Sequence, residues 1–508
     1  MSDVPDAGLH RAVQQQPDDV MTIFGTRERT VRQVVDRVAR LAGALCELGV
    51  GPGDRVAILA LNSDRYHEYL FAVPWADAVL NPINVRWSAP EIAYCLRDSG
   101  TRVLLVDDAF APALPALREL VPELALVIHI GEGPTPEGCH SCEELIAGTE
   151  PVPDARRGGD ALAGLFYTGG TTGSPKGVML SHANLQVSWL GSAATGYGPQ
   201  PGSRTLHVAP MFHLAAIGSW GAMVLVSGSH VIVQVFDPVA TLSAIATHHV
   251  TDVFLVPTMI QLLADHPGID DHDLSSLLRV IYGASPIAQA VLERAMAVFP
   301  RARFTQAYGM TELAPAATVL SPADHERGLL RSAGRAAPHA EIRVVDQDST
   351  PGSFGTIGEI VVRGGHVMQG YWNKPEETAA AIQDGWMHTG DGGYLDEHGY
   401  LYVVDRLKDM IVTGGENVYS AEVENAVARH PAVAQCAVIG VPDPDWGERV
   451  YAVASCTPGP TSPLRVARPH QEFHRRLQGA PQPRNRRLVT AVRSRQDPQT
   501  RAPAEVLA

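Results

Sequence analysis

A loop rich in glycine and hydroxyl residues, Tyr167 to Gly177, constrains the fold of this chain more than any other sequence feature. It follows the apolar run 161–166, and α/β proteins bind ligands at the ends of such strands. Its glycines let backbone N–H groups approach an anion closely, while its hydroxyls and Lys176 add donors and positive charge. A Walker A loop is excluded because Pro175 precedes the lysine and no Ser or Thr follows it. The loop therefore predicts a phosphate site at a strand end of an α/β domain.

Apolar runs alternate with helix-like stretches through most of the chain. The runs that read as buried strands are 55–60, 103–106, 231–235, 253–256 and 279–282. A helix-like stretch lies between the first two of them. This order of strand, helix and strand predicts parallel sheets covered by helices.

From Gly334 onward the pattern consists of shorter strands. Apolar runs at 341–345, 358–362 and 400–404 are separated by turns that contain Gly or Asp-Gly. Strands that follow one another through such tight turns pair in an antiparallel manner. This part of the chain is therefore predicted to form a compact β-rich subdomain.

A charged segment, Asp405 to Asp409, separates two apolar runs and is interpreted as a domain boundary. The predicted fold class is α/β. A large N-terminal domain, residues 1–405, contains the parallel βα layers and the β-rich subdomain. A hinge joins it to a small α+β C-terminal domain, residues 406–508.

Length and charge restrict the class of protein. The 508 residues carry a net charge of −15, which favours at least two domains and argues against nucleic acid as a partner. The sequence contains no apolar stretch of about 20 residues that could span a bilayer. Its N-terminus lacks the basic region and apolar core of a signal peptide. We therefore expect a cytoplasmic protein without a transmembrane segment. Whether it forms a homo-oligomer is not decided by the sequence.

A second segment, Gln306 to Glu312, places a carboxylate beside a hydroxyl, a donor combination that suits Mg²⁺ held partly by phosphates. Together with the first loop it resembles the signatures of the AMP-binding, acyl-CoA synthetase family of adenylate-forming enzymes. The resemblance extends from about Thr30 to about Val453, with the motifs in the family's order. It implies an ATP-dependent, AMP-forming ligase that activates a carboxylic acid as an acyl-adenylate and transfers the acyl group to coenzyme A.

The resemblance also implies roles for individual residues. Thr168, Lys176, Glu312 and His213 would be catalytic, and Glu312 with Thr172 would bind Mg²⁺. ATP would contact a larger set of residues from several segments: Thr168, Gly169, Gly170, Thr171, Thr172, Gly173, Gly283, Ala284, Ser285, Gln306, Ala307, Tyr308, Gly309, Thr311, Asp391 and Arg406. In this set Tyr308 would stack near the adenine, and Asp391 would accept hydrogen bonds from the ribose hydroxyls.

In the family, the small domain rotates about a hinge between the two half-reactions. Protecting the adenylate from water and then admitting a thiol explains why such a rotation is needed. By resemblance Lys408 is the hinge residue. Gly414, Gly415 and Glu416 would form the loop that the pantetheine of coenzyme A passes.

The acid pocket is expected beside Pro210 to His213, where a histidine could steer a carboxylate. The segment 214–220 that follows is apolar and favours a hydrophobic acid. The leading hypothesis is a medium or long fatty acid, and an aryl acid is the nearest alternative. A further alternative is an adenylating enzyme that loads the phosphopantetheine of a carrier protein.

The end of the chain departs from the family pattern. The family carries a lysine in a loop near its C-terminus, whereas Lys408 is the last lysine here. Residues 455–508 are rich in Pro, Arg and Gln and lose apolar periodicity, which suggests either a reading-frame change or a divergent tail. Since arginine does not replace a lysine point charge, we expect slowed adenylation. An adenylation-impaired nucleotide-binding relic is therefore a third reading.

Overall fold

The structure, a computed structural model, describes residues 7–169, 174–346, 348–413, 416–428, 433–443, 446–456 and 490–493. These residues form two compact units. The first comprises the described residues up to Ile287, together with Val291–Thr389 and Tyr394–Tyr402. The second comprises Ala288–Ala290, Gly390–Gly393 and the described residues from Val403 onward. The domain boundary after residue 405 stays a prediction.

The helices of the described residues are α1 (Ala7–Gln15), α2 (Val31–Glu47), α3 (Asp64–Trp75), α4 (Ala89–Asp98), α5 (Leu114–Leu120), α6 (Cys142–Gly148), α7 (His182–Ala194), α8 (Leu214–Val226), α9 (Pro238–His248), α10 (Pro257–Ala264), α11 (Gln289–Val298), α12 (Pro322–Glu326), α13 (Pro375–Ala381) and α14 (Ser420–Ala428). Side chains at their N-termini explain where several of them begin. Ser63 accepts from the Tyr66 N–H before α3, and Ser181 with Asn184 forms a capping box before α7.

The strands are β1 (Val20–Phe24), β2 (Arg27–Thr30), β3 (Arg55–Leu59), β4 (Val79–Pro82), β5 (Val103–Val106), β6 (Leu126–His129), β7 (His140–Ser141), β8 (Leu162–Thr168), β9 (Lys176–Ser181), β10 (Arg204–His207), β11 (Ser229–Ile232), β12 (Asp252–Leu255), β13 (Arg279–Gly283), β14 (Arg303–Tyr308), β15 (Thr318–Leu320), β16 (Arg335–Ala336), β17 (Glu341–Val345), β18 (Gly358–Arg363), β19 (Gly370–Tyr371), β20 (Ile382–Gln383), β21 (Trp386–Leu395), β22 (Leu401–Arg406), β23 (Ile411–Thr413), β24 (Glu416–Val418), β25 (Val433–Asp443), β26 (Gly447–Cys456) and β27 (Thr490–Arg493).

Two large sheets of the first unit carry the candidate site. One has the order β16-β15-β14-β13-β12-β10-β11-β1-β2, and its six consecutive strands β14-β13-β12-β10-β11-β1 pair in parallel. The other has the order β19-β9-β8-β4-β3-β5-β6-β7, and β3 to β6 are parallel. Buried aliphatic side chains pack between each sheet and its helices. The α/β fold class with parallel layers is confirmed.

Most predicted strands lie where the apolar runs place them, and one does not. The run 103–106 coincides with β5, whereas the run 231–235 corresponds to β11, which begins at Ser229 and ends at Ile232. Val235 is 54% exposed, so its apolar character does not reflect a place in a buried strand. The apolar run therefore predicts a strand that extends beyond the observed end of β11.

A third sheet has the order β17-β18-β21-β20, with β22 also paired with β21, and its pairs β17·β18 and β20·β21 are antiparallel. This is the predicted β-rich subdomain. In the second unit the strand order is β24-β23-β26-β25, with β27 parallel to β26. Its small core contains Ile411, Val438 and Ala452. Among the described residues, no helix combines the length and apolar character required to cross a bilayer.

Candidate active site

The predicted phosphate-binding loop, Tyr167 to Gly177, is called the phosphate loop here and connects the antiparallel strands β8 and β9. Thr168 at the end of β8 lies directly opposite Lys176 at the start of β9, so the ladder places both side chains at the base of the loop. Gly169 is exposed, and a Cβ atom there would have no neighbour within 4 Å. The predicted ligands Gly170, Thr171, Thr172 and Gly173 lie outside the described residues. The stem of the loop is therefore defined by Thr168 and Lys176.

Tyr167 connects the stem of the loop to the end of helix α4. Its hydroxyl donates to Asp98 Oδ2 at 2.6 Å, and its ring lies 3.0 Å from where a Cβ atom on Gly177 would stand. The indole N–H of Trp372 donates to the Asp98 carbonyl at 2.9 Å. A side chain at position 177 would therefore press against the Tyr167 ring, which favours glycine there.

Two predicted adenine-binding segments meet at the ends of adjacent parallel strands. β13 and β14 pair in register, with Gly283 opposite Ala307. A Cβ atom on Gly283 would lie 2.1 Å from the Ala307 carbonyl oxygen, so only glycine allows this approach. Ala284 then turns the chain with a φ of 66°. The ladder therefore brings Gly283, Ala284 and Ser285 beside Gln306 to Gly309, as a strand-end ligand site requires.

Glu312 lies beyond β14 in a short 3₁₀ helix, where it is 5% exposed. Its Oε1 atom accepts a hydrogen bond of 2.9 Å from the hydroxyl of Tyr371. The Lys176 ammonium lies 4.8 Å from the centroid of the Tyr371 ring. Tyr371 thereby contacts both the carboxylate of the second motif, Gln306 to Glu312, and the cation of the phosphate loop.

The backbone around Tyr371 joins the same two motifs. Met368 N–H donates to the Glu312 carbonyl at 2.9 Å, and Trp372 N–H donates to the Gly177 carbonyl at 2.8 Å. No sequence motif identified this segment. Its signal was weak: two consecutive aromatic residues after Gly370 and shortly before Pro375, without a charged or hydroxyl motif. Its contacts with Glu312, Lys176 and Gly177 mark it as part of the site.

Comparison with known proteins identifies the family of this chain. The sequence profile of AMP-binding enzymes matches residues 9–372, and that of the AMP-binding enzyme C-terminal domain matches residues 422–501. The chain belongs to the AMP-binding enzyme family. It is an AMP-forming acid–CoA ligase, and the resemblance that the sequence indicates is confirmed.

Relatives of this AMP-binding enzyme act on different acids. Feruloyl-CoA synthase of an Amycolatopsis species is 42% identical over 448 residues, which are 87% of either chain. The medium/long-chain-fatty-acid–CoA ligase FadD8 of Mycobacterium tuberculosis is 37% identical and covers 87% of this chain and 78% of its own. The crystal structure of the anthranilate CoA ligase AuaEII in complex with anthranoyl-AMP is 26% identical, with a TM-score of 0.84 over 90% of this chain and 88% of that one.

His213 directly precedes α8 of this AMP-binding enzyme. Its ring keeps contact with solvent and lies 4.1 Å, centroid to centroid, from the Phe212 ring. Desolvation by the surrounding protein, with a contribution from the positive charge of Arg86, lowers the pKa of His213 to about 4. The imidazole is therefore uncharged at neutral pH and can offer a hydrogen bond without a net charge.

Helix α8 has two different faces. Trp220, Met223 and their neighbours are buried in the core. The opposite face is partly exposed and carries small side chains at helical spacing, namely Ala215, Gly218, Ser219 and Ala222. A Cβ atom on Gly218 would lie 3.1 Å from Cδ of Pro315, which follows Glu312 closely in the chain. The small-residue face of α8 is therefore turned toward the second motif.

The second unit of the AMP-binding enzyme contains further predicted residues. Arg406 Nε lies 3.4 Å from Oδ1 of Asp391, so the two predicted ribose contacts are neighbours. Leu407 N–H donates to the Gly390 carbonyl at 2.9 Å, which secures the segment that precedes Lys408. Gly414 and Gly415 lie outside the described residues, and Glu416 begins β24.

Proposed function

We propose that this enzyme activates a hydrophobic carboxylic acid with ATP and Mg²⁺ and transfers the acyl group to coenzyme A. The observation that carries the proposal is that Tyr371 contacts both side chains. Its hydroxyl donates to Glu312, and its ring lies beside the Lys176 ammonium. An ammonium group suits the phosphates of ATP, and a carboxylate oxygen suits Mg²⁺. These donor types therefore fit the nucleotide and the metal that the family uses.

The metal would be held mainly by the nucleotide. In the part of the chain that the structure describes, no group of three or more His, Cys, Asp or Glu side chains could hold a metal ion. Mg²⁺ commonly binds one or two carboxylates together with substrate phosphates. Glu312 and, by the sequence prediction, Thr172 would supply the protein ligands. The bound ion would neutralise charge that develops on the phosphates.

The remaining residues would orient the substrates. Thr168 and Lys176 would hold the phosphates so that the acid's carboxylate attacks the α-phosphorus and pyrophosphate leaves. Gly283 to Ser285 and Gln306 to Gly309 would pack against the adenine, and Asp391 would accept from the ribose hydroxyls. His213 would orient the acid. Lys408 would act as the hinge, and Gly414 to Glu416 would admit coenzyme A.

For the acid itself, we favour an aromatic carboxylic acid and keep a medium or long fatty acid as the second candidate. Feruloyl-CoA synthase, at 42% identity, supports the first, and FadD8, at 37%, supports the second. The small side chains of α8 are compatible with either, since a face of Ala, Gly and Ser leaves room for a bulky acid. This order reverses the one expected from the sequence, where the fatty acid led.

The test is release of pyrophosphate from MgATP with a panel of aryl and fatty acids, followed by thioester formation with coenzyme A. It is run on the chain as it stands and on a version with a lysine-bearing C-terminal end typical of the family. We expect turnover with aryl acids, faster in the lysine-bearing version.

Turnover with fatty acids alone would reverse the order of candidates, and no turnover in either version would refute the function. Transfer to a carrier protein but not to coenzyme A would favour the carrier-loading alternative. ATP binding without pyrophosphate release, only in the unaltered chain, would mark it as an adenylation-impaired relic.

A further inference from the structure

We propose that Tyr371 is a positioning residue that sets the Glu312 carboxylate through its hydroxyl and the Lys176 ammonium through its ring. The inference rests on the proposed function, because it concerns the groups that would bind Mg²⁺ and phosphate. It assigns a role to a residue that lies outside both motifs, 59 positions from Glu312 in the chain.

The hydroxyl contact restrains the carboxylate. Tyr371 is 8% exposed and Glu312 is 5% exposed, so the 2.9 Å hydrogen bond between them is shielded from water. A carboxylate can only accept, so the phenol hydroxyl of Tyr371 is the donor in this bond. A phenol has a single proton to donate, so the bond engages one carboxylate oxygen and fixes the rotation of the group. Hydrogen bonds to an ionised acceptor are stronger than neutral ones.

The ring contact restrains the ammonium. A distance of 4.8 Å from Lys176 Nζ to the ring centroid lies within the range of a cation–π interaction. A lysine side chain is otherwise a flexible stem with a point charge at its end. Contact with an uncharged phenol leaves the net charge of both Lys176 and Glu312 in place. A direct ion pair between them would instead compensate the charges that phosphate and metal need.

Tyr371 is itself held firmly. β19 pairs with β9, with Gly370 opposite Met179 and Tyr371 opposite Val178. The Tyr371 N–H donates to Oγ1 of Thr378 at 2.9 Å. The ring is thus attached to the strand that begins with Lys176, so its position relative to the phosphate loop is set by the backbone.

A similar chemical arrangement among the described residues lies away from the predicted site residues and supplies a control. The hydroxyl of Tyr400 donates to Asp324 Oδ1 at 2.6 Å, and Arg335 Cζ lies 5.0 Å from the Tyr400 ring centroid. Tyr400→Phe therefore removes a comparable hydroxyl–carboxylate bond beneath a cation, together with a 3.3 Å hydrogen bond that the hydroxyl accepts from Arg327. Any general cost of removing a buried phenol hydroxyl should therefore be at least as large in Tyr400→Phe as in Tyr371→Phe.

The experiment measures ATP affinity by isothermal titration calorimetry, with and without Mg²⁺, in the absence of acid and coenzyme A. For Tyr371→Phe we expect MgATP affinity to fall about tenfold, while metal-free ATP affinity changes by less than about twofold. Tyr371→Leu, which also removes the ring, should weaken metal-free ATP as well. Tyr400→Phe should change neither affinity. The binding stoichiometry reports the folded fraction, so partial unfolding lowers the stoichiometry and is not mistaken for weaker binding.

A double-mutant cycle identifies the group through which Tyr371 acts. In a Glu312→Gln background, Tyr371→Phe should have no further effect on the Mg²⁺ dependence, because the carboxylate it positions is gone. Additive effects of the two substitutions would overturn the inference, and so would equal effects of Tyr371→Phe and Tyr400→Phe. Failure of the unaltered protein to bind ATP at all would instead refute the proposed function, on which the inference depends.

Discussion

The indole N–H of Trp220 donates a hydrogen bond of 2.9 Å to Nδ1 of His67, and both side chains are buried. Because an indole nitrogen can only donate, Nδ1 of His67 must be unprotonated. A second buried pair lies next to it: Nε2 of His207 is 2.9 Å from Nδ1 of His230, whose ring centroid is 4.5 Å from that of His67. Protonation of the acceptor nitrogen in either bond would place two N–H groups face to face.

This cluster predicts loss of stability in mildly acidic solution. Burial lowers the pKa of His67 to about 3, with His207 and Arg29 adding positive charge, and burial lowers the pKa of His207 to about 4. The unfolded state therefore binds more protons, and stability present above the ordinary histidine pKa of about 6.5 is lost as the pH falls below it. We expect the free energy of unfolding, measured with urea, to fall by about 3 kcal/mol between pH 7 and pH 5.

His67→Phe tests which group is responsible. It should lower stability at pH 7, since the Trp220 N–H loses its acceptor, but it should flatten the decline between pH 7 and pH 5. His398→Phe, at an exposed position, is the control and should leave the slope as it is. An unchanged slope in His67→Phe would assign the acid sensitivity to other groups.

A buried carboxylate is expected to stabilise the N-terminal region. Glu68 is 1% exposed and accepts hydrogen bonds of 2.6 and 3.1 Å from the Arg37 guanidinium. Glu68→Gln removes one of the two carboxylates that Arg37 contacts, since Glu143 also accepts from it at 2.7 Å, so we expect a loss of about 2 kcal/mol in urea unfolding at pH 7. Asp18→Asn breaks the exposed pair with Arg32 and should have no measurable effect. Similar losses in both variants would contradict the role of burial.

A methyl group at position 283 should disturb the predicted adenine site. Gly283→Ala would place Cβ 2.1 Å from the Ala307 carbonyl oxygen, which forces β13 and β14 apart. We expect a loss of stability of about 2 kcal/mol and a marked loss of ATP affinity, measured by calorimetry. Gly148→Ala is the control, since a Cβ there has no neighbour within 4 Å. Unchanged ATP affinity in Gly283→Ala would place the adenine elsewhere.

A large side chain on the small-residue face of α8 should obstruct the acid. For Ala215→Phe we expect KM for the acid to rise about tenfold, because apolar pockets are sensitive to added volume, while ATP affinity stays the same. Steady-state kinetics with the best acid of the panel supplies the measurement. Val239→Phe, on α9 at a position that is 52% exposed, is the control. Equal KM values in the two variants would mean that this face does not contact the acid.

Local chemistry made part of the site predictable. The glycines, hydroxyls and Lys176 of the phosphate loop, and the Thr311-Glu312 pair, are adjacent in sequence and indicate their ligands by residue type alone. The alternation of apolar runs and helices led to the α/β class and its parallel layers, which are confirmed. The apolar run that ends at Val235 predicts a strand longer than the observed one, because an exposed valine and a buried valine cannot be distinguished by residue type.

The sequence by itself determined the family and the reaction type, and it predicts the segments that would bind phosphate and adenine. The tertiary structure alone decided that Tyr371 joins Lys176 to Glu312 and that Trp220 bonds His67, 153 positions away. Such contacts depend on which strand pairs with which and on the volume between packed helices, and neither quantity is encoded in a short motif. We expect the identity of the acid to belong to this second kind, since the pocket that we propose for it is formed by the packing of α8 against the second motif.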